Sequence, residues 1–199
     1  MIKSICWDVG GVLLNYSDNY FISHLASRSG KSEESVKSTV YPLIVKMEAG
    51  ALRSEDFSKQ ISKELGVKKR EARMTSFFSQ AAKPNTDLIL LARQLRKSNY
   101  EQSLLSNIEI ETYIALSKMM DLSLFEPKIL SVYIKMRKPD RQIFDYALKK
   151  IKRSGEEIVF IDDRKANVEG ARAAGMNSIL FDGISQLKED LLKLGVKGF

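Results

Sequence analysis

Cysteine is nearly absent from this chain of 199 residues: Cys6 stands alone, so no disulfide can form within the chain and a zinc site built from several cysteines is excluded. Histidine is equally scarce. His24 is the only one, which removes every mechanism that needs two imidazoles and leaves His24 without an assigned role. Long hydrophobic runs are missing too. The apolar stretch from Met1 to Trp7 is broken at Asp8, too soon for a signal peptide or a membrane span, and a cytoplasmic location with no membrane partner is the expectation that follows. There is no internal repeat and no low-complexity tract, so solenoids and disordered tails drop out as well.

What is present suits one globular α/β core, or such a core with a small insertion: 44% of the residues are hydrophobic and 29% charged. A net charge of +7, from 32 basic and 25 acidic residues, raises the question of nucleic acid. The densest basic clusters, Lys68 to Arg73 and Lys149 to Arg153, lie at or within helix-patterned segments and are mixed with Glu71 or apolar residues. They read as solvated faces, with no nucleic-acid partner.

Ile2 to Trp7 is too short for a helix and runs into Asp-Val-Gly-Gly, the pattern of a buried strand feeding a loop. Similar runs at Gln102 to Leu105, Ile129 to Tyr133, Ile158 to Ile161 and Ser178 to Phe181 alternate with helical segments, which predicts a mainly parallel sheet covered by helices. Ile143, Phe144, Ala147, Leu148 and Ile151 share one helical face, with Pro139 placed for a first turn; Leu88, Leu91, Ala92 and Leu95 form another stripe. Between Tyr16 and Pro84 the strand signals vanish. There Ser54 is positioned to cap a helix that turns Phe57, Ile61 and Leu65 inward and stops at Gly66, and Ala82 to Asn85 would link back to the sheet. The division expected is a core of residues 1–15 and 85–199 with a helical insertion at 16–84.

Parallel sheets place their chemistry beyond the carboxyl ends of the strands. The residues that follow the apolar runs are Asp8, Ser106 with Asn107, Lys138, and the pair Asp162 and Asp163. Ser106 and Asn107 alone would suit an ordinary turn and Lys138 a surface lysine, so their functional reading depends on the company they keep. Adjacent carboxylates at the end of a buried strand repel each other unless a cation lies nearby, which points to a metal.

Cys-Trp-Asp-Val-Gly-Gly-Val-Leu, Leu-Leu-Ser-Asn, Arg-Lys-Pro-Asp and Phe-Ile-Asp-Asp, in this order and spacing, resemble the four motifs of the haloacid dehalogenase-like hydrolase superfamily. The stretch from Asp163 through Asn167 and Gly170 to Gly175 is the most specific part of the resemblance. It implies a doubly wound, Rossmann-like parallel sheet, a helical cap of the C1 type inserted after the first strand, and a place in subfamily I near the sugar-phosphatase-like branch with an Asp-x-Gly-Gly motif. It further implies a phosphatase acting on a small phosphorylated metabolite, such as a sugar phosphate, through an aspartyl-phosphate on Asp8.

By the same resemblance Mg²⁺ is the cofactor, held by Asp8, Asp162 and the Gly10 carbonyl, with Asp163 acting mainly through metal-bound water. Ser106 and Asn107 would donate to the phosphoryl group, and Lys138 would bind it. The chemistry is coherent: an anionic monoester repels a carboxylate nucleophile, so attack needs positive charge, which Mg²⁺ and Lys138 supply. Lys138, extended before Pro139 at a helix N-terminus, would add the helix dipole. Asn167, Gly170 and Gly175 read as scaffold.

One position departs from the family. Most of its phosphatases carry a second aspartate two residues after the nucleophile as general acid and base, and here that residue is Gly10. Three explanations compete: protonation by water or a cap acid such as Glu48, a catalytically weak phosphate-binding protein, or a haloacid dehalogenase. The last has no use for the Asp162–Asp163 pair.

Overall fold

The computed structural model describes residues 1–199. The chain begins with Ser4–Trp7 (β1) and a two-residue strand Leu14–Asn15 (β2). Four helices follow, Asp18–Ser29 (α1), Glu33–Glu48 (α2), Ser54–Leu65 (α3) and Met74–Ala81 (α4), then a second short strand Lys83–Pro84 (β3). The remainder alternates: Thr86–Lys97 (α5), Glu101–Ser106 (β4), Ile110–Met119 (α6), Lys128–Leu130 (β5), Ser131–Ile134 (α7), Arg141–Ile151 (α8), Ile158–Asp162 (β6), Lys165–Ala173 (α9), Asn177–Leu180 (β7) and Ile184–Lys193 (α10).

The main sheet has the order β5-β4-β1-β6-β7, and all its neighbours are parallel. The chain winds outward from β1 through β4 to β5, then returns past β1 to build β6 and β7. This is the doubly wound arrangement expected, and the strand order reverses beside β1, which sets a crevice at its carboxyl end.

Both faces of the sheet are covered, which is why its strands are runs and not alternations. In β1, Ile5 and Trp7 join the larger core with Leu88, Leu91, Ala92 and Leu95 of α5, while Cys6 faces the opposite core with Ile143, Phe144, Ala147 and Ile151 of α8. β6 repeats the division, with Val159 and Ile161 on one side and Ile158 and Phe160 on the other. One buried polar pair bridges β1 and β4: Trp7 Nε1 donates to Gln102 Oε1 at 2.8 Å, and Gln102 Nε2 donates to the Tyr100 carbonyl at 2.8 Å.

Helices α1 to α4 bury an apolar cluster of their own, from Phe21 through Val40, Phe57 and Ile61 to Met74. Phe57, Ile61 and Leu65 point inward as expected, and Gly66, at φ +70°, ends α3. Ser54 is not the cap. It is the first helical residue, and its hydroxyl donates to Glu109 Oε2 at 3.1 Å, so the side chain that would close the helix end reaches across to another element. The expected linker is more ordered than a linker: β2 and β3 pair antiparallel, Leu14 with Pro84 and Asn15 with Lys83, and the Asn85 N–H donates to the Leu13 carbonyl at 2.9 Å. The chain thus enters and leaves the helical segment through one narrow ribbon.

Two sequence expectations are corrected. Ile129 to Tyr133 is not one strand: β5 stops at Leu130 and α7 begins at Ser131. The Ser131 hydroxyl donates to the Glu48 carbonyl at 2.7 Å and accepts the Ile108 N–H at 3.0 Å, which diverts the chain from the sheet. Pro139 is not in the first turn of a helix, because α8 starts at Arg141 behind Asp140, and Lys138 lies in the preceding turn. Of the basic clusters, Lys68 to Arg73 lies between α3 and α4, and Lys149 to Arg153 closes α8, where cations suit the helix dipole. No helix is long and apolar enough to cross a membrane.

Candidate active site

Asp8 leaves the end of β1 with its N–H donated to the Ile161 carbonyl at 2.9 Å. The chain then turns tightly, the Val9 carbonyl accepting the N–H groups of Val12 and Leu14. Gly11 has φ +77°, and a β-carbon there would lie 2.2 Å from Asp163 Oδ2. Only glycine lets this turn pass beneath that carboxylate. Gly10 is different: its φ is ordinary, and a β-carbon would meet only the Tyr16 carbonyl, at 3.7 Å.

Lys138 arrives from the turn before α8. Its ammonium lies 2.7 Å from Asp8 Oδ1 and 2.6 Å from Asp162 Oδ2, with its side chain 1% exposed. Asn107 fixes that turn, since Oδ1 accepts the Lys138 N–H at 2.8 Å and Nδ2 donates to the Lys138 carbonyl at 2.9 Å. The Asn107 amide, assigned to the phosphoryl group by resemblance, is therefore engaged at both ends in holding the lysine. Gly170 keeps α9 against the same turn, because a β-carbon there would lie 2.7 Å from the Pro139 carbonyl oxygen.

Asp162 is fully buried and its oxygens are well supplied: Lys138 Nζ, the Arg164 N–H at 2.8 Å, and Asn167 Nδ2 at 2.9 and 3.0 Å. Asp163, its neighbour, is more open and lines the cleft with Asp8, Gly10, Ser106 and Asn107. Carboxylate oxygens of Asp8, Asp162 and Asp163 all lie within 4.8 Å of one another.

Two of the three carboxylates share one buried cation, and burial together with mutual repulsion raises the pKa values of Asp8 and Asp163. Burial pushes Asp8 up to about 7, with Asp162 adding repulsion and Lys138 opposing both. Asp163 is raised by burial and then by Asp162. Burial disfavours the charge on Lys138, yet Asp162 and Asp8 together hold its pKa above the usual lysine value. An all-oxygen donor set with surplus negative charge fits a hard divalent cation.

Removing that lysine exposes the imbalance. Lys138→Met, similar in volume, leaves two buried carboxylates without their partner and is expected to destabilise the protein by about 3–5 kcal/mol at pH 7.5. The folded pKa of Asp8, already raised by burial, would then rise further above its unfolded value, so the lost stability should return as pH falls through that range. Urea midpoints at pH 5 and 7.5 measure this, and equal losses at both would rule out the buried charge as the cause.

The cleft continues beyond these groups. Tyr16, Asp18, Glu48, Met74, Phe78, Ile108, Glu109, Thr112 and Arg164 form its outer wall. Two ion pairs tie the helical segment to the sheet there, Arg164 Nη2 to Asp18 Oδ2 at 3.1 Å and Arg137 Nη2 to Glu48 Oε2 at 2.7 Å. Asp8, Gly10, Ser106, Asn107, Lys138, Asp162 and Asp163 therefore fall in or beside one crevice. Asn167, taken as scaffold, also holds Asp162; a polar side chain at the start of a helix five residues beyond a diacid was the available signal. Tyr16, Thr112 and Arg164 carried no such signal. His24 is not in the cleft: it sits on α1 with its ring 4.9 Å from that of Phe77.

The family model of haloacid dehalogenase-like hydrolases matches residues 2–175. A sesquiterpene phosphatase of Aspergillus oryzae is 29% identical over 133 residues, covering 65% of this chain and 67% of that protein. A drimenol cyclase of Aspergillus calidoustus is 37% identical over 106 residues, 51% of this chain but only 20% of its own length. Among solved structures, a HAD family enzyme of Bacteroides thetaiotaomicron in complex with magnesium and inorganic phosphate superposes with a TM-score of 0.76 at 23% identity, over 94% of this chain and 99% of the other.

Proposed function

The chain belongs to the haloacid dehalogenase-like hydrolase family, and on that premise we propose that it is a magnesium-dependent phosphatase of a small phosphorylated metabolite, with Asp8 as nucleophile. The observation that carries the reading is the trio of carboxylates, Asp8, Asp162 and Asp163, gathered within 4.8 Å of one another, with Asp8 and Asp162 both paired to one buried lysine. A carbon–halogen bond would make no demand for that trio. The sesquiterpene phosphatase and the magnesium and phosphate complex support the same reading.

Asp8 attacks phosphorus, the ester P–O bond breaks and the alcohol departs with a proton from water, and a second water then cleaves the aspartyl-phosphate to restore the carboxylate and release phosphate. Lys138 holds positive charge beside the nucleophile, and Asn107 fixes the turn that carries it. The Ser106 hydroxyl, buried at the end of β4, donates to a phosphoryl oxygen. Residues 16–84 serve as the cap over the core of residues 1–15 and 85–199, a division supported by the separate apolar cluster and the β2–β3 ribbon. Magnesium, when bound, supplies charge that offsets the anionic ester.

The two aspartates at the end of β6, Asp162 and Asp163, exchange the tasks that the motif alone suggested. Asp162 already receives Lys138, Asn167 and the Arg164 N–H, so Asp163, with Asp8 and the Gly10 carbonyl, holds the metal directly and Asp162 positions the lysine. Asp163→Asn should raise the Mg²⁺ concentration for half-maximal activity by at least about tenfold, the loss that even outer-shell partners produce. Asp162→Asn should instead lower kcat at saturating Mg²⁺. Metal titrations of both variants with 4-nitrophenyl phosphate, against an EDTA control, check the assignment; the larger titration shift in Asp162→Asn would reverse it. Turnover insensitive to EDTA would end the phosphatase proposal itself.

A further inference from the structure

Beyond the phosphoryl end, the cleft has an apolar wall of Leu14, Met74, Phe78 and Ile108. Two side chains that each bear a hydroxyl interrupt it. Tyr16 is 7% exposed and Thr112 is 5% exposed, both line the cleft, and neither Tyr16 Oη nor Thr112 Oγ1 has a hydrogen-bond partner in the protein. Tyr16 is packed edge-on against Phe78, ring centroids 4.9 Å apart, so its hydroxyl is held in place. Buried polar groups without partners are rare in folded proteins, and two lining one cavity are what a site built to hydrogen-bond a ligand contains.

The charges of the same wall limit what can enter. Its cations are committed, Arg164 to Asp18 and Lys138 to Asp8 and Asp162. Its other acids, Glu48 and Glu109, offer no positive charge to a second anionic group. A substrate with a carboxylate or second phosphate in this half of the cleft would meet the carboxylates of Glu48 and Glu109 and no cation free of a carboxylate partner.

Resting on the phosphatase reading above, we infer that the outer cleft is a subsite for the alcohol portion of the substrate, and that this portion is uncharged, mostly apolar, and carries a hydroxyl or carbonyl oxygen seated by Tyr16 and Thr112. Leaving those two hydroxyls unpaired penalises an alcohol without that oxygen, and the acids penalise one with a second anion.

The test is a binding series on the hydrolysis-impaired variant Asp8→Asn in Mg²⁺, by calorimetry. The probes are n-alkyl phosphates of three to six carbons, their ω-hydroxy counterparts and their ω-carboxylate counterparts. At the chain length that reaches the subsite, the ω-hydroxy ester should bind about tenfold more tightly than the plain alkyl ester, one buried hydrogen bond's worth, and the ω-carboxylate more weakly than either. Adding Tyr16→Phe or Thr112→Val should erase the hydroxyl preference while the alkyl ester keeps its Kd within about twofold, which a merely structural role would not produce. A series with no hydroxyl preference at any length, or a Tyr16→Phe variant that weakens both esters alike, overturns the subsite. If 4-nitrophenyl phosphate is not hydrolysed by the unmodified protein, the phosphatase reading fails while the Kd series still decides the subsite. If no ester binds, both fall.

Discussion

Asp8→Asn should cost about 10⁴ or more in kcat for any phosphate ester while the protein stays folded, because an amide is a poor nucleophile and a poor metal ligand. The second half of that expectation comes from the charge balance of the site. Burial is the main reason that the Asp8 carboxyl is pushed from an ordinary 3.8 to about 7, with Asp162 adding to it against the pull of Lys138. A carboxyl whose folded pKa exceeds its unfolded value binds more protons in the folded state between those two values, so it costs stability progressively as pH rises through that window. Asparagine escapes this cost. The metal-free variant should therefore melt no lower than the unmodified protein at pH 7.5, and any advantage should shrink toward pH 4. Magnesium should reverse the order, raising the melting temperature of the unmodified protein more than that of the variant, since only the former keeps all the carboxylates. Thermal melts with and without Mg²⁺ at the two pH values, beside an activity assay, check all three statements. Unchanged turnover would remove Asp8 from the mechanism, and an unfolded variant would remove the account of its burial.

The residues of this site were legible in sequence to the extent that strand geometry places them. Asp8, Ser106, Lys138 and Asp162 each follow an apolar run or a loop whose position relative to a parallel sheet is set by connectivity, so their convergence could be read from order alone. Their division of labour could not. Whether Asp162 or Asp163 faces the cleft depends on where Lys138, Asn167 and the Arg164 N–H point, and Asn107 resembles a phosphate donor until its amide is seen bonded to the Lys138 backbone. The same limit explains Ser54, which has the composition of a cap but spends its hydroxyl on Glu109, 55 residues away. Helical stripes such as Leu88 to Leu95 were predictable because burial repeats with the period of the helix, whereas the end of β5 at Leu130 is decided by a single serine bonding to α2. Tyr16 and Thr112 lay beyond sequence reasoning altogether, since what distinguishes them is the absence of a partner.

Gly10 carries the other large expectation. With no acid two residues after the nucleophile, the departing oxygen must leave with more negative charge, so rates should depend steeply on leaving-group pKa: acetyl and aryl phosphates fastest, sugar 1-phosphates between, simple alkyl esters slowest. A positioned acid is worth about 10²–10⁴ in rate, and Gly10→Asp should recover part of that range for the poor leaving groups while changing the good ones little. The loop permits the experiment. Gly10 has an ordinary φ and a β-carbon there meets only the Tyr16 carbonyl at 3.7 Å, whereas at Gly11 a β-carbon would collide with Asp163. Gly11→Ala is thus the control for perturbing the loop without adding an acid, and it should lose activity across the whole series. The measurement is kcat/KM over esters of graded leaving-group pKa on the unmodified protein and both variants. A shallow slope in the unmodified protein would mean that another residue already supplies the proton. The acids of the cleft are then ordered by their partners: Asp18 is paired to Arg164, and Glu109 accepts two backbone N–H groups and the Ser54 hydroxyl. Glu48 has its pKa raised by burial in spite of Arg137, so it is the first to test. Glu48→Gln steepening that slope would identify it as the donor, and the claim that Gly10 leaves this site without an acid would be withdrawn.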